Sequence, residues 1–127
     1  IRLEQYDRAQ QTVEEILEEE PDNTNARFLL AQLYMEKGDN EKATQEYKKV
    51  LEKNPEDPQV LARIAQTYFE SKNYPKAVQY SRDYVNLLEE QGKTEGLGVG
   101  YEILWKSLYN LGQTERAKEI RKKAQQY

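Results

Sequence analysis

The stretch most suggestive of chemistry is Gly92-Lys93-Thr94, the trio that closes a phosphate-binding loop. Such a loop reads G-x4-G-K-[ST] and follows a strand, because successive backbone N–H groups must wrap the phosphates while the lysine and hydroxyl reach them. The first glycine would fall at position 87, which is Leu87, and a helical pattern precedes it. The trio therefore reads as a helix end followed by a linker. Gly96, Gly98 and Gly100 fail the dinucleotide fingerprint in the same way, because its third glycine would stand where Tyr101 is. They read instead as a flexible joint or as close packing at the start of a helix.

Other catalytic devices are missing. The chain has no histidine and no cysteine, so imidazole bases, thiolate nucleophiles, disulfides and Cys-ligated zinc are excluded. The three serines, Ser71, Ser81 and Ser107, lie outside any nucleophile-elbow sequence. Carboxylates are densest at Glu14, Glu15, Glu18, Glu19, Glu20 and Asp22, a set of oxygen ligands that could attract a hard divalent cation. Adjacent glutamates on a helix point in different directions, and 22–27 does not fit a calcium loop, so the cluster reads as a solvated acidic end. No catalytic residue, metal site or cofactor is expected.

Composition narrows the partner class. The 127 residues suit one domain; 33% are charged and 37% apolar, with ten tyrosines, enough for a continuous core if helices stack. A net charge of -4 and only short basic runs, Lys48-Lys49 and Arg121-Lys122-Lys123, argue against a nucleic-acid footprint. No apolar run approaches a membrane span, so membrane insertion is not expected. Without an initiator methionine or signal-like segment the chain reads as a fragment of a longer array; its compartment is unassigned, with the cytoplasm as default.

The elements that carry these residues are helices, broken at regular intervals. A helix over about 6–19 carries Ala9, Val13, Ile16 and Leu17 at helical spacing. Pro21-Asp22-Asn23 breaks it, and Asn23 or Thr24 caps a second helix to about Lys37. Gly38 supplies a left-handed turn, Asp39 or Asn40 caps, and a third helix runs to about Lys53. Further helices are expected at about 58–71, 74–91, up to about 110, and 113–126.

Residues 24–57 repeat. Displaced by the spacing that takes Ala43 to Ala77, Tyr34 maps to Tyr68, Leu30-Ala31 to Ile64-Ala65 and Val50-Leu51 to Tyr84-Val85; displaced backwards, Ala43 maps to Ala9 and Pro55 to Pro21. The next landmark, Ala117, comes later than the period requires, so an insertion falls near Gly92, expected to lengthen the preceding helix by about one and a half turns. In the last unit Trp105 stands where Ala31 and Ala65 stand earlier, and its bulk is expected to open the helix pair or rotate the unit. Arg121 replaces Tyr47 in register, as suits a terminal helix facing water.

This pattern resembles the tetratricopeptide repeat. The resemblance implies an all-α α-solenoid, a right-handed superhelix of antiparallel helix pairs, with about three and a half units and seven helices. The units would be residues 1–23 (the second helix of a truncated repeat), 24–57, 58–91, a glycine-rich insertion at 92–97, and 98–127. It further implies a scaffold holding a short polypeptide segment of a partner protein in its concave groove, with no chemistry performed on it. By helical register the first helices present Asn25, Phe28, Gln32 and Met35, then Gln59, Ala62, Arg63, Gln66 and Phe69, then Glu102, Lys106 and Tyr109 to that groove. The aromatic residues there would be anchors, or would fill gaps between neighbouring helices. The branch of the family that grips a chaperone tail's carboxylate uses Lys, Asn and Arg, of which Arg63 alone matches, so that ligand is not expected. Two alternatives remain: self-association as a homo-oligomer through Val13, Ile16 and Leu17, expected to be uncovered because their helix lacks its pair, and docking for an enzyme whose catalytic part lies elsewhere.

Overall fold

Four helices begin where an Asn or Asp side chain satisfies backbone N–H groups that a helix start leaves unpaired. Asn23 accepts from the Ala26 amide at 3.0 Å, Asp39 from Lys42 at 3.2 Å, Asp57 from Gln59 at 3.0 Å and Asn73 from Lys76 at 3.4 Å. Each such cap is worth about 1 kcal/mol. Our computed structural model describes residues 2–127, among which seven helices form: α1 (Leu3–Glu19), α2 (Thr24–Glu36), α3 (Asn40–Lys53), α4 (Pro58–Glu70), α5 (Tyr74–Glu90), α6 (Leu97–Asn110) and α7 (Thr114–Ala124). The expected helices are all present. The first starts earlier than the periodicity indicated, at Leu3, and the last is shorter at both ends.

Helix ends are equally regular. After α2, α5 and α6, Gly38, Gly92 and Gly112 take left-handed φ values of 85°, 67° and 83°. The next residue's N–H then reaches back to an orphan carbonyl, as in Asp39 to Tyr34 at 2.9 Å and Gln113 to Leu108 at 3.0 Å. After α4 the same turn is made by Lys72, at φ 64°, with Asn73 N–H donating to Tyr68 at 2.9 Å. A left-handed L residue costs about 1–2 kcal/mol, and glycine's extra chain entropy recovers only part of that. Lys72→Gly should therefore raise stability by about 0.5–1 kcal/mol, seen as a higher urea midpoint with unchanged slope. A lowered midpoint would contradict this assignment.

The helices form two compact units, one running through Pro55 and the other from Glu56 to Tyr127. In the first, α1 packs on α2 and α2 on α3. Its core joins Val13 of α1 to Ala26, Leu30 and Leu33 of α2, with Tyr6, Ala9, Leu17 and Tyr34 against it. The uncovered face expected on α1 is thus smaller than the sequence suggested, because α1 turns its apolar stripe onto α2. Val13 is 3% exposed and Leu17 is half-buried, leaving Ile16 at 39%. Arg27 ties α2 to α3 through Glu46 at 2.8 Å, and donates to the Pro21 carbonyl at 2.9 Å.

In the second unit α4 pairs with α5, α5 packs on α6, α6 pairs with α7, and α4 also touches α6. Ala65, Ala77 and Ile103 form a core cluster flanked by Tyr68, Phe69 and Tyr80. The landmark alanines Ala43, Ala77 and Ala117 are 0%, 0% and 2% exposed, as close approach of paired helices requires. The insertion is divided. α5 has 17 residues against 14 in α3, less than one extra turn, and the remainder enters the link at 91–96 and the start of α6. α5 stops beside Gly92 as expected, but the expected one and a half turns are not reached because the insertion is shared with the link and α6.

Of the two readings of the glycines, close packing is what Gly96 and Gly100 serve. A Cβ on Gly100 would lie 2.7 Å from Val85 Cγ2 and 2.9 Å from Tyr84 Cδ2, so α6 approaches α5 more closely than any side chain permits. Beside this contact the Tyr101 hydroxyl donates to the Glu89 carboxylate and its ring stacks on Tyr127. Burial first, then the Glu89 hydrogen bond and charge, push the Tyr101 pKa up to about 12. Its neutral form is the one the fold favours, so its contribution is complete below pH 10 and is lost as pH rises towards 12. Thermal unfolding followed between pH 9 and 12 should show Tm falling, and Tyr101→Phe should make that fall shallower. An equal fall in both proteins would refute the linkage.

Candidate protein-interaction site

On α4, helical register separates two faces. Val60, Leu61, Ile64, Ala65 and Thr67 are buried, and Gln59, Ala62, Arg63 and Gln66 lie outside the core. The structure brings these last four together along one cavity of about 560 Å³, closed by Tyr84 and Leu88 of α5 and by Lys93 and Glu95 of the link. The wall from the link exists because Gly96 turns it left-handed, at φ 95°, directly onto the Tyr84 hydroxyl and Leu88. Burial first, and then the Glu95 charge, raise the Tyr84 pKa, so the hydroxyl stays a neutral donor at ordinary pH. The lining thus offers two carboxamides, a guanidinium, an ammonium, a carboxylate and a phenol around the apolar floor of Leu88 and Ala62. Such a set can satisfy a peptide backbone and discriminate side chains, and it holds no nucleophile–base pair.

The other expected groove residues are distributed. Phe69, Glu102 and Lys106 line a second cavity of about 440 Å³, between α4 and α6 and the chain's last residues. Glu102 and Lys106 pair there at 3.2 Å. Phe69 also packs edge-on against Tyr74, with ring centres 5.9 Å apart, so it fills a gap in the hairpin while keeping part of its surface free. Phe28 in the first unit does the same, edge-on to the buried Tyr47 at 5.4 Å. Around it Asn25 is exposed and Gln32 and Met35 are half-buried. Tyr109 is different: it is 60% exposed and lies on the groove between α6 and α7. Leu29, on the same helix as Phe28, is 46% exposed.

Sequence reasoning missed Tyr84, Leu88, Lys93 and Glu95. The insertion that moved Ala117 out of register was the available signal, because extra chain after α5 must lie against something. Trp105 is half-buried on the α6/α7 groove, where Arg121 stacks 5.0 Å from its ring centre. The two register departures that the sequence shows separately are one contact.

Residues 1–48 and 36–84 each match the model of the tetratricopeptide repeat. This chain belongs to the tetratricopeptide repeat family. The seven helices also follow the fold of solved tetratricopeptide proteins. The structure of MamA from strain AMB-1 superimposes with a TM-score of 0.82 at 22% identity over 94% of this chain and 62% of its own. The N-terminal domain of stress-induced protein-1 from C. elegans gives 0.75 at 20% identity over 81% and 82%, respectively. A kinesin light chain from Podosopora anserina with nearly identical TPR-like repeats gives 0.76 at 16% over 95% and 66%. At these identities the likeness concerns the fold alone. The chain spans about 62% of the length of the AMB-1 MamA it matches. No curated protein matches it in sequence. Tetratricopeptide repeats are in general protein-interaction modules, and no catalytic domain is evident among the described residues. No group of three or more acidic side chains there is placed to hold a metal ion, and no helix is long and apolar enough to cross a membrane.

Proposed function

We propose that this tetratricopeptide module binds a short polypeptide segment of a partner protein along α4, with Gln59 and Gln66 meeting its backbone and Arg63 and Lys93 its acidic or carbonyl groups. The observation that carries this reading is the convergence of Gln59, Ala62, Arg63 and Gln66 on one cavity with Tyr84 and Lys93. Polar side chains around an apolar floor suit an extended segment, because its backbone groups must find partners once water is excluded. Phe69 in the neighbouring cavity is the further anchor of the proposal; within the first unit, taken by itself, Phe28 with Asn25, Gln32 and Met35 is proposed as a separate contact surface.

The test is selection of peptides from a random display library on the wild-type protein. The enriched peptides should bind Arg63→Ala and Gln66→Ala variants about tenfold more weakly each, a loss of about 1–2 kcal/mol. Binding unchanged in both would remove this cavity from the account. A second reading, assembly with another copy, retains Ile16 and Leu3, at 39% and 65% exposed. The module is expected to sediment as a concentration-independent monomer, and a mass rising with concentration and abolished by Ile16→Glu would favour assembly instead.

A further inference from the structure

The groove between α6 and α7 has features that the α4 cavity lacks. It encloses about 390 Å³, and no carboxylate lines it. Its floor is the Trp105 ring, Tyr109 and the nearly buried Ala117; its rim is Lys106, Lys118 and Arg121. Trp, Tyr and Arg are the residue types that dominate binding energy at protein interfaces. Trp105 Nε1 is buried with no hydrogen-bond partner among the described residues. Arg121 stacks on the ring at 5.0 Å and pairs with no carboxylate there, while Lys106 and Lys118 hold only exposed, weak pairs with Glu102 and Glu115. A hydrophobic floor between two helices, ringed by cations, complements one kind of occupant.

We infer that this groove docks an acidic amphipathic helix of a partner protein, its apolar side chains on Trp105 and Tyr109 and its carboxylates on Lys118 and Arg121. The volume admits one or two large apolar side chains, and the exposed rim adds charge selectivity and a faster encounter. This site is separate from the α4 cavity, so each can fail without the other.

Trp105 is the chain's only tryptophan, which makes its emission a direct report on the groove. The probes are three peptides of about 18 residues, long enough to span the hairpin as a helix. One is helix-forming with leucines on one face and glutamates on the other, one is its scrambled sequence, and one replaces glutamate by lysine; none contains tryptophan. The expected result is a saturable blue shift with the first alone. Its affinity should fall about tenfold or more in Lys118→Glu/Arg121→Glu, and markedly in Tyr109→Ala, which preserves every charge should the double variant not fold. Gln66→Ala should leave it unchanged. The inference is overturned by no saturable shift, by equal binding of the scrambled or lysine peptide, or by undiminished binding to the variants. It is equally overturned if the protein alone shows the shift on dimerising, since a second copy would then be the occupant.

Discussion

Gly96→Val should lower the stability of the α4–α7 unit by about 2–5 kcal/mol, from two separable causes. The φ of 95° is left-handed, where a branched side chain is strained. A Cβ there would also lie 2.2 Å from the Tyr84 hydroxyl oxygen and 3.3 Å from Leu88. Urea unfolding reads the total, and adding Tyr84→Phe should recover part of it by removing the nearest oxygen while leaving the backbone strain. The same substitution should weaken peptide binding, because Gly96 holds Lys93 and Glu95 against the cavity. A variant within about 0.5 kcal/mol of wild type would mean that the link is not pinned to α5.

Ile64→Ala should cost about 2–5 kcal/mol, the range for emptying a fully enclosed aliphatic site. Ile64 is 0% exposed and stands two residues from Gln66 on the same helix. Gln66→Ala, by contrast, should change stability by less than about 0.5 kcal/mol and weaken peptide binding about tenfold instead. Urea midpoints and peptide affinities measured on both variants separate the two faces of α4. If Ile64→Ala proved harmless, or Gln66→Ala unfolded the protein, the register on which the site rests would be wrong.

The helices and their pairing were legible because several local signals agree. Asn23, Asp39, Asp57 and Asn73 cap; Gly38, Gly92 and Gly112 terminate; and Ala43, Ala77 and Ala117 mark where paired helices touch. Lys72 was not legible as a left-handed residue, because lysine ordinarily avoids that conformation and neighbouring contacts must impose it. The fate of Val13 and Leu17 was also hidden. Periodicity gives the apolar stripe of α1 but not which neighbour covers it, and the cover came from α2. Helical register located Gln59, Ala62, Arg63 and Gln66 together, since all four belong to one helix. It could not supply Tyr84, which lines the cavity from the paired α5, or Lys93, which lies on the link between Gly92 and the left-handed Gly96, nor pair Trp105 with Arg121 across two helices.

The most direct measurement is amide chemical-shift mapping of the isotopically labelled protein, titrated with a peptide selected on it. The account predicts saturable shifts centred on Gln59, Ala62, Arg63 and Gln66 and extending to Lys93. Shifts confined to α1 or α7, with α4 and the link unmoved, would contradict it.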